Sequence, residues 1–343
     1  MNIIDLRSDT VTKPSAAMRK KMYEAEVGDD VFGEDSTVIA LQDRVAEILK
    51  KEAALYVPSG TMANQIAISV LTSPGDEVYV DIGSHIFNYE SGSAGFISGV
   101  QLYPIVGTRG VFTREQLEDC LRPKDDHFPP SSTVVVENTH NRGGGTVWHL
   151  REMHRIYELT RERNMRMHLD GARLWNAVAA TGTPERDWAQ YADTVSVCFS
   201  KALGAPVGSA IAGTKEIITE AHRVRKRLGG GMRQAGIIAA GALYAIENNR
   251  SRLVEDHLKA KKLAEGLCEI PGFYVDVDHV DTNIVIVDMS ERSLDAERFS
   301  SVLKDQGILV VMAGRMKVRM VTHFDLTEND IVNTLKIINS LYH

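Results

Sequence analysis

Residues 165–206 read MRMHLDGARLWNAVAATGTPERDWAQYADTVSVCFSKALGAP, and this stretch decides the fold. It holds two short runs of mostly apolar and β-branched residues, MRMHLD (165–170) and TVSVCFS (194–200). Lys201 follows Asp170 by 31 residues, which is enough for one helix and one further strand. Apolar strands separated by helices are typical of a largely parallel sheet that helices cover on both faces.

The same alternation of strand and helix patterns extends on both sides of this stretch. Between residues 36 and 51, one helical face carries Leu41, Val45, Ile48 and Leu49. Further strands are predicted at AALYVP (53–58), EVYVDI (77–82), VQLYPIV (100–106) and STVVVEN (132–138), and helices at TREQLEDCL (113–121) and LREMHRIYELTRER (150–163). The run VGSAIAG (207–213) follows the preceding strand after only a tight turn, so we expect it to run antiparallel.

The pattern changes at about residue 250, where a long polar helix begins. Four strand-like runs follow it, at FYVDV (273–277), NIVIVDM (283–289), ILVVMA (308–313) and KVRMVTH (317–323), with helices at 295–306 and 328–341. We therefore predict an α/β protein with three parts. These are an N-terminal arm (1–14), a large domain with a mostly parallel central sheet covered by helices (15–248), and a smaller C-terminal α+β domain (249–343).

The composition excludes several classes of protein. The formal net charge is −7, whereas a nucleic-acid-binding protein needs a basic surface to neutralise phosphates. The one basic run, RVRKR (223–227), is interpreted as a solvated helix face, with a specific anion contact as the alternative. The longest apolar stretch, 236–246, is shorter than the ~20 residues of a membrane span, so we expect no membrane association.

The cysteines and the N-terminus indicate a cytoplasmic protein. Cys120, Cys198 and Cys268 are widely spaced and form no CxxC pair, which is typical of reduced thiols rather than of disulfides or a zinc site. The N-terminal residues MNIIDLRSDT contain no basic region followed by an apolar core, so no signal peptide is expected. Histidines and carboxylates do not cluster at metal-ligand spacing, so no catalytic metal is predicted.

Two strand ends carry residues that could hold a charged cofactor. Ser59-Gly60-Thr61 follows AALYVP and opens a helix, whose free N–H groups can bind a phosphate, although a simple helix N-cap would give the same pattern. Asp170 ends a buried strand, and a buried carboxylate needs a cationic partner. That partner could be a pyridinium nitrogen, which the carboxylate would keep protonated, or it could be Arg173 in an ion pair. Asp170 could also be a helix cap.

A third strand end carries Lys201, directly after Ser200 and before a run of small residues. A lysine placed there can form a Schiff base with a cofactor aldehyde. A single lysine is usually a solvated surface residue. The joint occurrence of a phosphate site, a ring-nitrogen acid and a Schiff-base lysine at successive strand ends is far more specific, and it predicts pyridoxal 5′-phosphate (PLP) as the cofactor.

Eight motifs extend this prediction to a family. They are SDTVTKP (8–14), AEVGDDVFGED (25–35), PSGTMANQ (58–65), SHIFNYE (84–90), ENTHNRGGG (137–145), HLDGARLWNA (168–177), SKALGAPVGS (200–209) and GGGMRQAG (229–236). Together they resemble the low-specificity L-threonine aldolases, which are fold type I PLP enzymes. The resemblance covers nearly the whole chain, from about residue 3 to beyond Arg319. Ala202 departs from the glycine expected after the lysine, but both residues are small.

The resemblance implies a set of roles for the cofactor side of the site. Lys201 would form the Schiff base, Asp170 would pair with the ring nitrogen, and His85 would stack on the ring. The remaining cofactor-binding residues would be Ser59, Gly60, Thr61 and Ser200 around the phosphate, Arg173 near the ring hydroxyl, and Arg233 near a subunit interface that completes the site. A homotetramer built as a dimer of dimers, with active sites at the dimer interface, is therefore expected.

On the substrate side, the resemblance implies that Ser8, Arg173 and Arg319 position the carboxylate of a small amino acid. Without the motifs, Arg319 would as readily be a solvent-facing strand residue. The expected reaction is retro-aldol cleavage of L-threonine, L-allo-threonine and related β-hydroxy-α-amino acids to glycine and an aldehyde. His85 is favoured as the group that takes the β-hydroxyl proton, directly or through water, with His127 as the rival. His127 could equally be a loop residue. Glu137, Asn138 and His140 are expected to shape a strand-end loop.

Two alternatives remain open from the sequence. The first is another reaction on the same scaffold, either a β-eliminating lyase or an aminotransferase, because one PLP fold supports many reactions. The second is a PLP-binding regulator without catalytic activity. Such a regulator usually carries a DNA-binding module, and this chain has neither the length nor a basic patch for one.

Overall fold

The computed structural model describes residues 3–342. Its strands are β1 (Ile4–Asp5), β2 (Ala53–Val57), β3 (Glu77–Asp81), β4 (Gln101–Ile105), β5 (Ser131–Glu137), β6 (Arg166–Gly171), β7 (Thr194–Cys198), β8 (Ser209–Gly213), β9 (Ile284–Asp288), β10 (Ile308–Leu309), β11 (Val311–Gly314) and β12 (Lys317–Val321). They form one large sheet and two small ones.

Helices separate most of these strands. They are α1 (Ala16–Tyr23), α2 (Ser36–Leu49), α3 (Gly60–Leu71), α4 (His85–Asn88), α5 (Arg114–Cys120), α6 (Leu150–Glu162), α7 (Leu174–Thr181), α8 (Glu185–Ala189), α9 (Lys215–Arg227), α10 (Gly236–Asn248), α11 (Leu253–Cys268), α12 (Ala296–Asp305) and α13 (Glu328–Tyr342). Short 3-10 turns lie at Asp9–Val11, Asp30–Phe32, Arg250–Arg252, Val277–His279 and Ser290–Arg292, and a π turn at Ala94–Ser98. None of the described helices is both long enough and apolar enough to cross a membrane.

The large sheet has seven strands in the order β2-β8-β7-β6-β5-β3-β4. Strands β4, β3, β5, β6 and β7 are parallel neighbours, whereas β8 runs antiparallel to both β7 and β2. The predicted α/β fold with a mostly parallel central sheet and the antiparallel direction of 207–213 are therefore confirmed. Every residue of β3, β7 and β8 is buried, as expected for strands that are covered on both faces.

Helix α2 shows how the sequence pattern produces the cover of this sheet. Its buried residues recur at helical spacing: Val38, Leu41, Val45, Ala46 and Leu49. The Asp35 carboxylate caps the helix by accepting from the Val38 N–H at 3.0 Å. Ile48, which was predicted on the same face, is only partly buried.

The C-terminal part of the chain forms a three-stranded antiparallel sheet in the order β11-β12-β9. The predicted strand at 273–277 is wrong, because only Tyr274 forms a bridge, to Asp288, before the chain turns into a 3-10 helix. The predicted run 308–313 is divided between β10 and β11. Between the two parts of the chain, α10 ends at Asn248, and a 3-10 turn leads into α11.

The N-terminal segment lies across both parts of the chain. Strand β1 pairs in parallel with β10, and Ile4 and Leu6 are buried in the C-terminal core. Further along, the Thr12 hydroxyl donates to the backbone oxygen of Lys201 at 3.0 Å. The predicted domain limits at residues 1 and 343 lie outside the described residues. The division into an arm and two domains stays a prediction.

The interpretation of residues 223–227 as a solvated helix face is wrong for Arg225. This side chain is 2% exposed, because its guanidinium donates to the Tyr56 backbone oxygen at 2.8 Å and pairs with Asp30 at 2.8 Å. Arg223 and Arg227, by contrast, keep about 70% of their side-chain surface exposed. The run therefore ties α9 to β2 through Arg225 and also buries Val224, whereas Arg223, Lys226 and Arg227 face water.

Candidate active site

Two adjoining cavities lie where the polar strand-end residues meet. The sheet cavity, of about 350 Å³, is lined by strand ends of the large sheet and by the start of α3. The interdomain cavity, of about 320 Å³, is lined also by the N-terminal segment and by β9, β11 and β12. His85, Asn141, Arg173 and Lys201 line both cavities, so the two form one continuous site.

The first turn of α3 forms one wall of the sheet cavity. The Ser59 hydroxyl caps the helix by accepting from the Met62 N–H at 3.2 Å, so the N-cap interpretation is correct for this side chain. A Cβ at Gly60 would lie 2.8 Å from the Cys198 sulfur, so only glycine fits between helix and strand. Thr61 lines the cavity beside them, and the helix dipole favours an anion at this position.

Asp170 lies at the end of β6 on the floor of the sheet cavity and is only 2% exposed. Its carboxylate accepts from the Asn64 side-chain nitrogen at 2.9 Å and from the Ala172 N–H at 3.1 Å. Within residues 3–342 it forms no ion pair with lysine, arginine or histidine, and the alternative pair with Arg173 is absent. A buried carboxylate that lacks a cation fits a protonated ring nitrogen of a ligand.

Lys201 follows β7 by three residues and lines both cavities. Its backbone oxygen accepts from the Thr12 hydroxyl and, in the tight turn that follows, from the Gly204 N–H at 2.8 Å. Gly204 has a positive φ of 77° and lies against the Phe324 ring, where the Cβ of any larger residue would collide with the ring. Ser200 lines the sheet cavity beside the lysine. The backbone of the lysine is therefore fixed while its side chain faces the cavity.

Arg173 forms a buried ion pair that the sequence did not predict. Its Nε and Nη2 atoms donate to the two carboxylate oxygens of Asp9 at 2.8 and 2.7 Å. Burial would raise the pKa of Asp9, but the charges of Arg173 and Lys201 and the hydrogen bonds hold it well below its usual range. Asp9 follows Ser8 in the motif SDTVTKP, and this position was the only feature of the sequence that pointed to Asp9 as a site residue.

Arg319 and Arg173 converge on the side-chain oxygen of Asn141, at 2.8 and 3.4 Å. Burial and the nearby charge of Arg173 lower the pKa of Arg319. Its Nε atom is buried and has no hydrogen-bonding partner among residues 3–342. Two neighbouring guanidinium groups that line the same cavity form a site for a carboxylate. Asn141, like Asp9, was missed by the sequence analysis.

His85 begins α4 and lines both cavities. Its Nδ1 atom lies 2.9 Å from Oε1 of Glu90, and its backbone N–H donates to Glu137 at 2.6 Å. Burial lowers the pKa of the imidazole, but the hydrogen bond to Glu90 and the charges of Asp170 and Glu90 outweigh burial and raise it. Ser8 lines the interdomain cavity opposite, where its hydroxyl accepts from the Thr10 N–H.

The loop after β5 places Asn141. The other carboxylate oxygen of Glu137 accepts from the Asn141 N–H at 2.8 Å, and the buried His140 lies 3.1 Å from Asp81. These contacts agree with the expected role of Glu137 and His140 in shaping the loop.

Two predicted site residues do not reach the site within this chain. The His127 side chain is 88% exposed and pairs with Asp125 at 2.5 Å, outside both cavities. Arg233 is half-exposed and pairs with Asp29 at 3.0 Å. Their proposed roles therefore stay predictions and require a second subunit.

The comparisons with known proteins agree with this geometry. The family model for the beta-eliminating lyases matches residues 5–292, which is most of the chain. The fold and the site therefore define a lyase of this class.

Curated relatives narrow the class to one family. Low-specificity L-threonine aldolase 1 of Arabidopsis thaliana is 43% identical, over 98% of this chain and 95% of its own length. The low specificity L-threonine aldolase of Escherichia coli (strain K12) is 41% identical over 96% of each chain. The chain belongs to the low-specificity L-threonine aldolase family, as its motifs indicated. A solved threonine aldolase from Leishmania major, only 18% identical, shares the fold with a TM-score of 0.86 over 99% of this chain and all of its own.

Proposed function

We propose that the protein cleaves L-threonine, L-allo-threonine and related β-hydroxy-α-amino acids to glycine and an aldehyde, with PLP as its cofactor. One observation carries this proposal. A buried carboxylate without a cationic partner, Asp170, and a lysine, Lys201, face the same cavity, and the arginine pair Arg173 and Arg319 lies in the adjoining one. The first two residues suit the cofactor, and the arginines suit the carboxylate of an amino acid.

The residues of the sheet cavity fit PLP. Lys201 would hold its aldehyde carbon, Asp170 its ring nitrogen, and Gly60 and Thr61 its phosphate, with Ser200 beside them. The cofactor, when bound, supplies an acceptor for the electron pair that is released as the Cα–Cβ bond of the substrate breaks. The carboxylate of Asp170 would favour a protonated ring nitrogen and thereby strengthen that acceptor.

The arginine pair would fix the orientation of the substrate. Arg173 is itself held by Asp9 through two hydrogen bonds, and Arg319 is held by Asn141 and by the backbone oxygen of Arg7 at 3.1 Å. A carboxylate bound between two immobilised guanidinium groups cannot rotate freely. The Cα–Cβ bond of the substrate is then kept in one direction relative to His85 and Lys201.

His85 would accept the proton of the β-hydroxyl group, directly or through a water molecule. It lines both cavities, and its pKa is raised by its hydrogen bond to Glu90. Moving the proton from the β-oxygen to His85 allows the aldehyde to leave. The Cα atom of the glycine product must then receive a proton. His127 could take this role only from a second subunit.

The test is release of aldehyde from L-threonine and from L-allo-threonine by the purified, PLP-loaded protein, coupled to alcohol dehydrogenase and NADH. We expect NADH to be consumed with one or both substrates, and the ratio of rates gives the preference at Cβ. Formation of pyruvate from serine would instead favour β-elimination. Transfer of the amine to a keto acid would favour an aminotransferase, and binding without turnover would favour a regulator.

We further propose that two subunits complete each active site, within a dimer of dimers. Arg233 lies away from the cavities of its own chain, and Phe32 beside it is 74% exposed. Tyr89, at the mouth of the interdomain cavity, is 51% exposed, and Phe96 is 91% exposed. Large exposed aromatic side chains are typical of a surface that another subunit covers.

Mixed oligomers test this arrangement. Lys201→Ala and Arg233→Ala subunits are refolded together at equal amounts. If Arg233 serves the partner subunit's cavity, each mixed dimer keeps one site with both residues intact, and roughly a quarter of the wild-type activity returns. No gain over the separate variants would show that Arg233 acts within its own chain or does not act at the site.

A cytoplasmic location is also proposed. All three cysteines are free, and Cys198 is buried against Ser209, whose hydroxyl lies 3.1 Å from its sulfur. Free thiols are typical of reducing compartments. Fractionation of the producing cells, with activity followed in each fraction, tests the location.

A further inference from the structure

Glu90 is a buried carboxylate that lines neither cavity. It follows α4, and its side chain is completely inaccessible to solvent. Oε1 lies 2.9 Å from His85 Nδ1 and accepts from the Asn64 side-chain nitrogen at 2.8 Å, and Oε2 accepts from the Gln65 side-chain nitrogen at 2.6 Å. His85 is its only ion-pairing partner among residues 3–342. The stability of a buried charge that has a single ion-pairing partner depends strongly on that partner.

Asn64 links Glu90 to the floor of the sheet cavity. Its side-chain nitrogen donates one hydrogen to Glu90 and the other to Asp170 at 2.9 Å. Its side-chain oxygen accepts from the Ser196 hydroxyl at 2.9 Å and from His168 Nε2 at 3.1 Å. All hydrogen-bonding positions of the amide are therefore used, and its orientation is fixed because only the nitrogen can face two carboxylates.

We propose that Glu90 is a positioning residue that holds the His85 imidazole with its proton on Nδ1, and that Asn64 connects this pair to Asp170. The Nδ1 proton is donated to Glu90, so the lone pair of Nε2 is left toward the cavity. No described residue hydrogen-bonds Nε2, and His85 lines both cavities. This deepens the proposed function, because Nε2 is then the atom that would take the β-hydroxyl proton.

The charges of the network support this assignment. Glu90 and Asp170 are two buried carboxylates that share one neutral amide, and such an arrangement is costly unless each has a cation. Neutral His85 donates its Nδ1 proton to Glu90 and becomes the cation beside Glu90 once Nε2 takes up a proton. The ring nitrogen of a bound cofactor would serve Asp170. His168, at the other end of the amide, is no candidate cation, because burial lowers its pKa to about 4.

Several charged or titratable groups surround His85 and bear on its protonation. They are Glu90 and Tyr89 on its own segment, Glu137 at the end of β5, Asp170 at the end of β6, Lys201 after β7, and Arg142 and Arg173 on the cavity walls. Burial and the positive charge of Lys201 lower the pKa of His85, whereas Glu90 and Asp170 raise it. Glu90 is the only one of these whose side chain hydrogen-bonds the ring.

The experiment measures the imidazole of His85 by nitrogen-15 NMR in the full-length protein, with and without PLP. In the wild type above the midpoint of the titration, we expect the signals of a neutral ring protonated on Nδ1. A ring protonated on Nε2 would overturn the proposal, and this measurement needs no mutation.

The isosteric variant Glu90→Gln then removes the charge and keeps the volume. We expect the His85 titration midpoint to move to lower pH, because the protonated imidazole loses Glu90 as its buried counterion. The preference of the neutral ring for a proton on Nδ1 should also be lost. Glu77→Gln is the matched control. Glu77 is also buried and paired, with Arg122 at 3.0 Å, but lies at the start of β3, at the opposite end of that strand from His85. An unchanged midpoint in Glu90→Gln, or an equal shift in Glu77→Gln, would overturn the proposal.

Activity gives an independent measurement. In Glu90→Gln we expect kcat to fall about 10- to 100-fold, as for other groups that orient an active histidine, with the low-pH limb of the rate profile moved to lower pH and KM nearly unchanged. If the protein had no aldolase activity, the NMR result would still decide the role of Glu90. Failure of the proposed function and failure of this inference are therefore distinguishable.

Discussion

The two cavities differ in how they are built. The sheet cavity takes Asp170 and Lys201 from the ends of neighbouring parallel strands, β6 and β7, in a sheet whose interior is completely buried. The interdomain cavity brings together Asp9, Asn141 and Arg319, which come from the N-terminal segment, a loop and a strand of the C-terminal sheet. The first is positioned by one sheet, and the second by the packing of three distant segments.

The two halves of the site should therefore respond to different perturbations. A residue at the end of a buried strand keeps its place as long as the sheet folds. Arg173 and Arg319, by contrast, keep their places only while the N-terminal segment and the C-terminal sheet stay docked. Substitutions in the sheet cavity should therefore abolish chemistry without loosening the fold, and those in the interdomain cavity should affect substrate binding and stability.

The largest effect is expected for Lys201→Ala. Removing the amine that would hold the cofactor should lower the rate of aldehyde release by about 10³-fold or more, because the activated nucleophile has no substitute. The melting temperature of the protein without PLP should change little, since the side chain faces a cavity. Lys215→Ala, an exposed lysine on α9, is the control and should keep its activity. Near-normal turnover in Lys201→Ala would break the assignment of the sheet cavity.

A large effect of a different kind is expected for Asp9→Ala. It leaves the buried guanidinium of Arg173 without its partner, which typically costs about 3–5 kcal/mol of stability. The free energy of unfolding is measured in urea, with the protein free of PLP. Asp325→Ala removes an exposed contact to the Lys13 N–H and should cost far less. Equal losses in the two variants would contradict the view that the interdomain cavity depends on the buried pair.

A smaller effect is expected for Arg319→Lys. Lysine keeps the charge but cannot donate to Asn141, to the Arg7 backbone and to a carboxylate at once, so KM should rise about 10- to 100-fold. The affinity for PLP, followed by its absorbance, should be unchanged. A loss of PLP binding that matches the rise in KM would mean that the two cavities do not act separately.

The smallest effect concerns pH. The pKa of Asp9 lies below its ordinary value of 3.8, so its contribution to stability is complete above that value and is lost as the pH falls. The difference in unfolding free energy between the wild type and Asp9→Asn should be constant from pH 8 to pH 5 and shrink below about pH 4. A difference that stayed constant down to pH 3 would show that Asp9 is not the ionised partner of Arg173.

The same contrast explains how much the sequence could predict. Asp170, Lys201 and Gly60 were predictable because each follows an apolar run directly, and the carboxyl ends of parallel strands meet at one edge. Asp9 and Arg173 are 164 residues apart, and Asn141 and Arg319 are 178 residues apart. No local pattern reports such a contact.

Two local predictions were wrong for physical reasons of the same kind. Residues 273–277 have the composition of a strand, but only Tyr274 finds a partner, so no ladder forms. Arg225 lies in a run of basic residues that should face water, yet Asp30 and the Tyr56 backbone oxygen bind it in the interior. In both cases the outcome depends on whether another part of the chain supplies a partner, which a local pattern does not report.

The pairing of β1 with β10 has a consequence for biosynthesis. Ile4 and its partner Ile308 are 304 residues apart, so Ile4 is synthesised long before the strand with which it pairs. A nascent chain can therefore form the large sheet, with Lys201 at its edge, before the N-terminal segment has a strand to pair with. The arginine pair is complete only after Arg319 in β12 has been synthesised.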